Sequence, residues 1–185
     1  MDENDLSIIE LWADAVPKGG VVVEIGSMMG RSAAAWAMTC DPSVTIYCLD
    51  LWGGEPTNQI FDDETTLREN QPRKGDVNSM VTFAQNVGHH PNIIMAQISR
   101  EMLVPLECAL IRPDVVFLDA AHKNPDDWNL IQAWLPRIKP GGMLCGHDNS
   151  PSWPDVMLNV MRLETNLRQT VTSYKNWSSL WSFRV

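Results

Sequence analysis

The sequence predicts an α/β fold: a doubly wound, mostly parallel seven-stranded sheet with an antiparallel C-terminal strand. Two observations point there. Short apolar runs rich in β-branched residues alternate five times with helix-like stretches, the pattern of a parallel sheet covered on both faces. After the fifth run come two more strand-like stretches, TVTSY (170–174) and SLWSFRV (179–185), separated by Lys175-Asn176-Trp177 and suited to a closing pair.

Taken in order, residues 5–16 place Leu6, Ile9, Leu11 and Trp12 near one face of a helix, which Pro17-Lys18-Gly19-Gly20 breaks. VVVEIG (21–26) is the first buried strand, 31–39 a helix and TIYCLDLW (45–52) the second strand. Residues 53–78 are polar and carry Gly53, Gly54, Pro56, Pro72 and Gly75. So long an irregular stretch suits a partly helical insertion that lids a substrate, and equally a variable surface loop. A helix follows over 79–87, then a third strand, NIIMAQI (92–98). SREMLVPLECAL (99–110) predicts a helix disturbed by Pro105. DVVFLDA (114–120) is the fourth strand, 125–137 a helix presenting Trp128, Ile131, Trp134 and Leu135, and MLCGHD (143–148) the fifth strand after the turn Pro140-Gly141-Gly142. Residues 154–165 form the last predicted helix.

A length of 185 residues suits a single domain over 1–185 with one full core. No apolar run is long enough to span a bilayer, and the acidic start MDENDLSIIELW lacks a signal-peptide profile, so a cytoplasmic protein with no membrane partner is expected. The net charge of −9, with few and scattered basic residues, argues against nucleic acid as a partner. Cys40, Cys48, Cys108 and Cys145 have no C-x-x-C spacing and are expected to be reduced and buried. Nothing in the sequence fixes the oligomeric state; a homo-oligomer is compatible with it.

Open α/β sheets bind ligands beyond the carboxyl ends of their strands, where strand order reverses. The first such turn reads Glu24-Ile25-Gly26-Ser27-Met28-Met29-Gly30. Gly26 and Gly30 would let a ligand approach the backbone, and the free amides of the next helix favour an anionic group. A dinucleotide site needs the second glycine of G-x-G-x-x-G where Met28 stands, which argues against NAD or FAD. Asp50 ends the second strand, 24 residues after Gly26, where a carboxylate can accept from both ribose hydroxyls. Gln97 and Ser99, after the third strand, offer hydrogen bonds to a base; Ser99 also suits a helix N-cap.

The fourth and fifth strands each deliver an acidic residue at their carboxyl end, Asp119 and Asp148, the latter followed by Asn149. As neighbours about 4.8 Å apart, these strands would bring the two carboxylates together. Their repulsion is relieved by a hard divalent cation such as Mg²⁺, which could also lower the pKa of a substrate hydroxyl.

The E-x-G-x-x-x-G turn resembles motif I of class I S-adenosylmethionine (SAM)-dependent methyltransferases. The string from Val115 to Asn149, VVFLD…KPGGMLCGHDN, together with SPSWPDVMLNVMRLE after it, resembles the cation-dependent O-methyltransferases of the catechol and macrocin/sugar types. The resemblance implies a Rossmann-like fold, SAM as cofactor, and a small-molecule or sugar hydroxyl as acceptor. It implies Glu24, Gly26, Ser27, Gly30, Ser32, Asp50, Leu51, Gln97, Ser99 and Asp119 as the cofactor set. It implies Asp119, Asp148 and Asn149 as ligands of Mg²⁺ or another divalent cation. Sugar-type members often carry a second aspartate where Ala121 stands here. The base role then falls to His122, which suits work near neutral pH, or to Lys123 as in the catechol type. Trp52 and Trp153 stand where they could stack on a ligand or pack in the core. Rival readings are methyl transfer without a metal, using His122 as base, and a catalytically silent SAM-binding module.

Overall fold

The computed structural model describes residues 1–52, 79–99, 101–167, 170–174 and 177–185. The insertion expected over 53–78 lies outside the described residues. Helix α1 (Glu3–Asp14) leads into β1 (Val21–Ile25), α2 (Arg31–Thr39) and β2 (Thr45–Asp50). Then follow α3 (Ser79–Val87), β3 (Ile93–Gln97), β4 (Val115–Leu118), α4 (Asp126–Trp134), β5 (Met143–Gly146), α5 (Pro154–Leu167), β6 (Thr172–Ser173) and β7 (Trp181–Arg184).

These seven strands make one sheet in the order β3-β2-β1-β4-β5-β7-β6. The first five are parallel, and β7 runs antiparallel to both β5 and β6. The predicted Rossmann-like architecture is therefore the observed one. Alternation along the strands sorts the core into two layers. Val22, Ile46, Cys48, Phe117 and Cys145 face α1, α2 and α3, packing with Ile9, Trp36 and Phe83. Val23, Ile25, Leu49, Val116 and Leu144 face the other way, against Leu130, Ile131 and Trp134 of α4 and Val160 and Leu163 of α5. Burial on both faces explains why the strands read as apolar runs without polar gaps. All four cysteines are free and buried, as their spacing predicted. Among the described residues no helix is long and apolar enough to cross a membrane.

Two sequence expectations are corrected. The stretch 99–110 does not form the predicted helix; among its described residues only Leu106–Cys108 make a single 3₁₀ turn. Pro105 is held extended at φ −64°, ψ 159°, which breaks the helical backbone there, and Leu106 and Leu110 are exposed while Cys108 is buried. On α1, Leu11 is 66% exposed, and the buried stripe is Asp5, Ile8, Ile9 and Trp12. Those positions follow the i, i+3, i+4, i+7 spacing of one helical face, with a carboxylate on its apolar side.

Candidate active site

Strand order reverses between β1 and β4, and the two strands' carboxyl ends open the crevice that such sheets use for ligands. Among the described residues four non-glycine positions take a left-handed φ: Met28 (44°), Trp52 (37°), His122 (54°) and Asp148 (62°). They follow β1, β2, β4 and β5 respectively, so every one lies at this rim. Conformations of this kind cost free energy and persist where surrounding contacts over-determine them, typically around functional sites.

The glycine turn is held by its neighbours. Gly26 donates to the Leu49 carbonyl at 2.8 Å, and Gly30 to that of Ser27 at 2.8 Å. A Cβ on Gly26 would stand 2.0 Å from the Asp119 carbonyl oxygen, at a φ of +94°. A Cβ on Gly30 would meet Val87 and Phe83 of α3 at 3.0 and 3.1 Å. Both glycines are thus required by packing, before any ligand is considered. Asp50 clamps the loop. Its Oδ2 accepts from the Met28 amide at 2.7 Å and its Oδ1 from the Trp52 amide at 2.9 Å. Met28 is half-exposed, and its carbonyl accepts from Trp52 Nε1 at 3.1 Å. Trp52 is buried and packs on Phe83 at 5.1 Å between ring centroids, so it belongs to the core. Gln97 donates to the Leu51 carbonyl at 2.7 Å, while the Ser99 hydroxyl accepts from the Met102 amide at 3.1 Å and caps a turn instead of the predicted helix.

Glu24 lies fully buried behind this turn, with Ser32, at the start of α2, also buried. Among the described residues, neither carboxyl oxygen of Glu24, nor the Ser27 hydroxyl, has a hydrogen-bond partner. Burial pushes the Glu24 carboxyl up to about 8; the proximity of Ser27 and Ser32 pulls against this, and the charges of Asp119 and Asp50 add to it.

Across the reversal point, Asp119 and Asp148 converge as the neighbouring strands predicted. A histidine sits between them. His122 Nε2 lies 3.1 Å from Asp119 Oδ1 and 2.9 Å from Asp148 Oδ2, and its ring lies 4.7 Å from that of Trp153 between centroids. Burial pulls His122 down, but the two carboxylates prevail and lift it to about 9. Burial likewise raises Asp119 and Asp148, yet the histidines hold both below the usual carboxylate range. Lys123, next in sequence, is exposed.

The sequence alone assigns no role to His147, which lies beside Asp148, and does not single out Asp5 or Ser178. His147 is 8% exposed. Its Nδ1 is 3.2 Å from Asp148 Oδ1 and 3.6 Å from Asp119 Oδ1, while its Nε2 is 3.2 Å from Asp5 Oδ2. Burial opposes a charge on His147, but the Asp119 and Asp148 carboxylates raise it to about 10. The one signal that could have found Asp5 is its place on the apolar stripe of α1.

Asp119, His122 and Asp148 each offer a ligand atom within 4.8 Å of the others. Two carboxylates suit a hard divalent cation. Asn149, next to Asp148 in the chain, is buried, and its Nδ2 donates to Ser173 Oγ at 3.0 Å. The donor set therefore fits an oxygen-preferring cation, with His122 bridging the two carboxylates.

A Rossmann-like sheet, a clamped glycine turn at the reversal point and a charged cluster at the same rim form a candidate cofactor crevice and reaction site. The profile of a family described as Methyltransferase domain matches residues 23–149, which span both halves of this crevice. The chain belongs to that family, and it is a SAM-dependent methyltransferase. No curated protein matches the sequence. Similar solved structures share the fold at low identity. One from Staphylococcus aureus, described as a caffeoyl-CoA O-methyltransferase, has a TM-score of 0.68 at 14% identity, covering 100% of this chain and 83% of its own. An O-methyltransferase from Bacillus cereus in complex with SAH has a TM-score of 0.61 at 14% identity, covering 100% and 82%. One from Clostridium thermocellum, described as an rRNA methylase, has a TM-score of 0.64 at 10% identity, covering 100% and 98%. The same fold thus serves acceptors of different chemistry, and the acceptor must be argued from the site.

Proposed function

We propose that the protein is an O-methyltransferase that transfers the methyl group of SAM to a hydroxyl of a small molecule or sugar, assisted by a divalent cation. The observation that carries this is the convergence of Asp119, His122 and Asp148 at the rim facing the glycine turn. SAM would lie against Gly26, Ser27 and Gly30, with Glu24 and Ser32 behind the turn, Asp50 and Leu51 at the ribose, Gln97 and Ser99 at the base, and Asp119 toward the methionine part. When bound, it supplies an electrophilic sulfonium methyl. Asp119, Asp148 and Asn149 would hold Mg²⁺ or a similar cation, which when bound lowers the pKa of the acceptor hydroxyl.

The chain's own groups divide the remaining work. Asp50 fixes the turn through the Met28 and Trp52 amides, so the cofactor pocket is pre-shaped. His122 takes the acceptor's proton at Nε2, with Trp153 against its ring. For that it must first be neutral, and the carboxylates that keep it charged are the same two assigned to the cation. Lys123, adjacent but exposed, is the reserve base. The net charge of −9 supports a small neutral or cationic acceptor over nucleic acid, and four free, buried cysteines support a reducing, cytoplasmic setting.

Methyl-labelled SAM, offered with a panel of catechol and sugar hydroxyls, tests the reading. It predicts label on oxygen, lost on chelation and restored by Mg²⁺. Label on nitrogen or carbon would overturn the O-methyl assignment. Transfer that is indifferent to chelation would favour a second reading, metal-free catalysis by His122. That rival is supported by the short contacts through which His122, together with His147, already balances both carboxylates.

A further inference from the structure

We propose that Asp5, on the first helix, is a positioning residue that acts through His147 to fix the carboxylates of Asp119 and Asp148. The proposal rests on the reading of that pair as the seat of the chemistry.

Asp5 and His147 are 142 residues apart, yet their side chains meet in the interior. Asp5 is 4% exposed, on the face of α1 that also buries Ile8, Ile9 and Trp12. A carboxylate is costly in such a place unless it is fully partnered. Three hydrogen-bonding groups partner it, and the amino group of Met1 stands 3.9 Å from its Oδ2. Ser178 Oγ donates to Oδ1 at 2.6 Å, the Asp2 amide donates to Oδ2 at 2.7 Å, and His147 Nε2 lies 3.2 Å from Oδ2. Only the Asp2 contact belongs to the capping box of α1. A capping role alone explains neither the burial nor the approach of Ser178 and His147, since a capping carboxylate serves as well in solvent.

The ring of His147 is held at both nitrogens, by Asp5 at Nε2 and by the Asp148 and Asp119 carboxylates at Nδ1. Its backbone is pinned as well: its amide donates to the Leu118 carbonyl at 3.0 Å, and its carbonyl accepts from Trp181 Nε1 at 3.3 Å. The ring therefore has one orientation, and it meets Asp148 Oδ1 on the side away from His122, which meets Oδ2. Without Asp5 the ring loses the contact that sets its rotation, and Asp148 is left aligned from one side only. Partners that orient ligating carboxylates or histidines in this way typically change metal affinity or activity 10–100-fold when removed.

The test uses the full chain, chelator-treated and at one fixed neutral pH. The ring ¹⁵N resonances of His122 are recorded by NMR, because Asp5 does not touch His122. Asp5→Asn is expected to shift them. Asp2→Ala, which removes the cap but leaves the Asp5 carboxylate, is expected to leave His122 unmoved. In a second arm, Mn²⁺ binding followed by electron paramagnetic resonance is expected to weaken about 10–100-fold in Asp5→Asn. Unmoved His122 resonances in Asp5→Asn would overturn the proposal, as would equal shifts in Asp2→Ala. Wild-type protein that binds no Mn²⁺ would instead remove the cation reading, and the His122 resonances would still decide the role of Asp5. Should Asp5→Asn fail to fold, Ser178→Ala removes the shortest contact of the Asp5 side chain, and unmoved His122 resonances there count equally against the proposal.

Discussion

Replacing His122 by glutamine in chelator-treated protein should remove a stability contribution that depends on pH in a defined direction. Asp119 and Asp148, at 3.1 and 2.9 Å, keep the His122 proton on in the folded chain up to about 9, against an ordinary value of 6.5. At about 1.4 kcal/mol per pH unit, that difference is worth about 3 kcal/mol. The side chain is 15% exposed, so solvent screening removes only part of it. Because the folded value is the higher one, the contribution is present in full below pH 6.5 and is lost as pH rises through about 9. Glutamine keeps a polar group there but cannot carry the charge. Urea unfolding of both proteins at pH 6 should therefore show wild type ahead by up to about 3 kcal/mol, or roughly 6–12 °C in thermal midpoint for a chain of this size. By pH 10 the charge-dependent part of the gap should have closed. A gap of the same size at pH 6 and pH 10 would refute the claim that the carboxylate pair holds His122 charged.

Other substitutions separate packing from chemistry. Gly26→Ala places a Cβ 2.0 Å from the Asp119 carbonyl at an unfavourable φ, so it should cost more than about 4 kcal/mol or prevent folding, as thermal melting would show. Gly30→Ala carries the same φ handicap, at +90°, but meets side chains at 3.0–3.3 Å in place of backbone and should cost less in the same measurement, about 1–3 kcal/mol. With a methylated acceptor in hand, His122→Gln should slow turnover about 100-fold, while Lys123→Ala should stay within about threefold; the reverse order would transfer the base role to Lys123.

The sheet was legible because its strands are buried on both faces and show as apolar runs, and because acidic residues end β2, β4 and β5 where the chain turns. The same logic placed Asp119 and Asp148 side by side. What the sequence could not show was the use to which the glycines are put: Gly26 is demanded by the backbone of Asp119 and Gly30 by Val87 and Phe83, contacts that exist only in the folded chain. Nor could it show that His122 lies between the carboxylates, which depends on the left-handed backbone of His122 and Asp148. Asp5 was hidden by distance along the chain, and the helix expected over 99–110 failed because Pro105 denies it a backbone path.

On this reading the turn from Glu24 to Gly30, clamped by Asp50, receives SAM. Calorimetric titration of SAM into wild type and into Asp50→Ala tests it directly. One molecule per chain should bind to wild type, and the variant, having lost a charged acceptor, should bind about 10–100-fold more weakly. Equal affinity in the two proteins would contradict the placement of the cofactor at Asp50, and a wild-type chain that takes up NADH but not SAM would contradict the account as a whole.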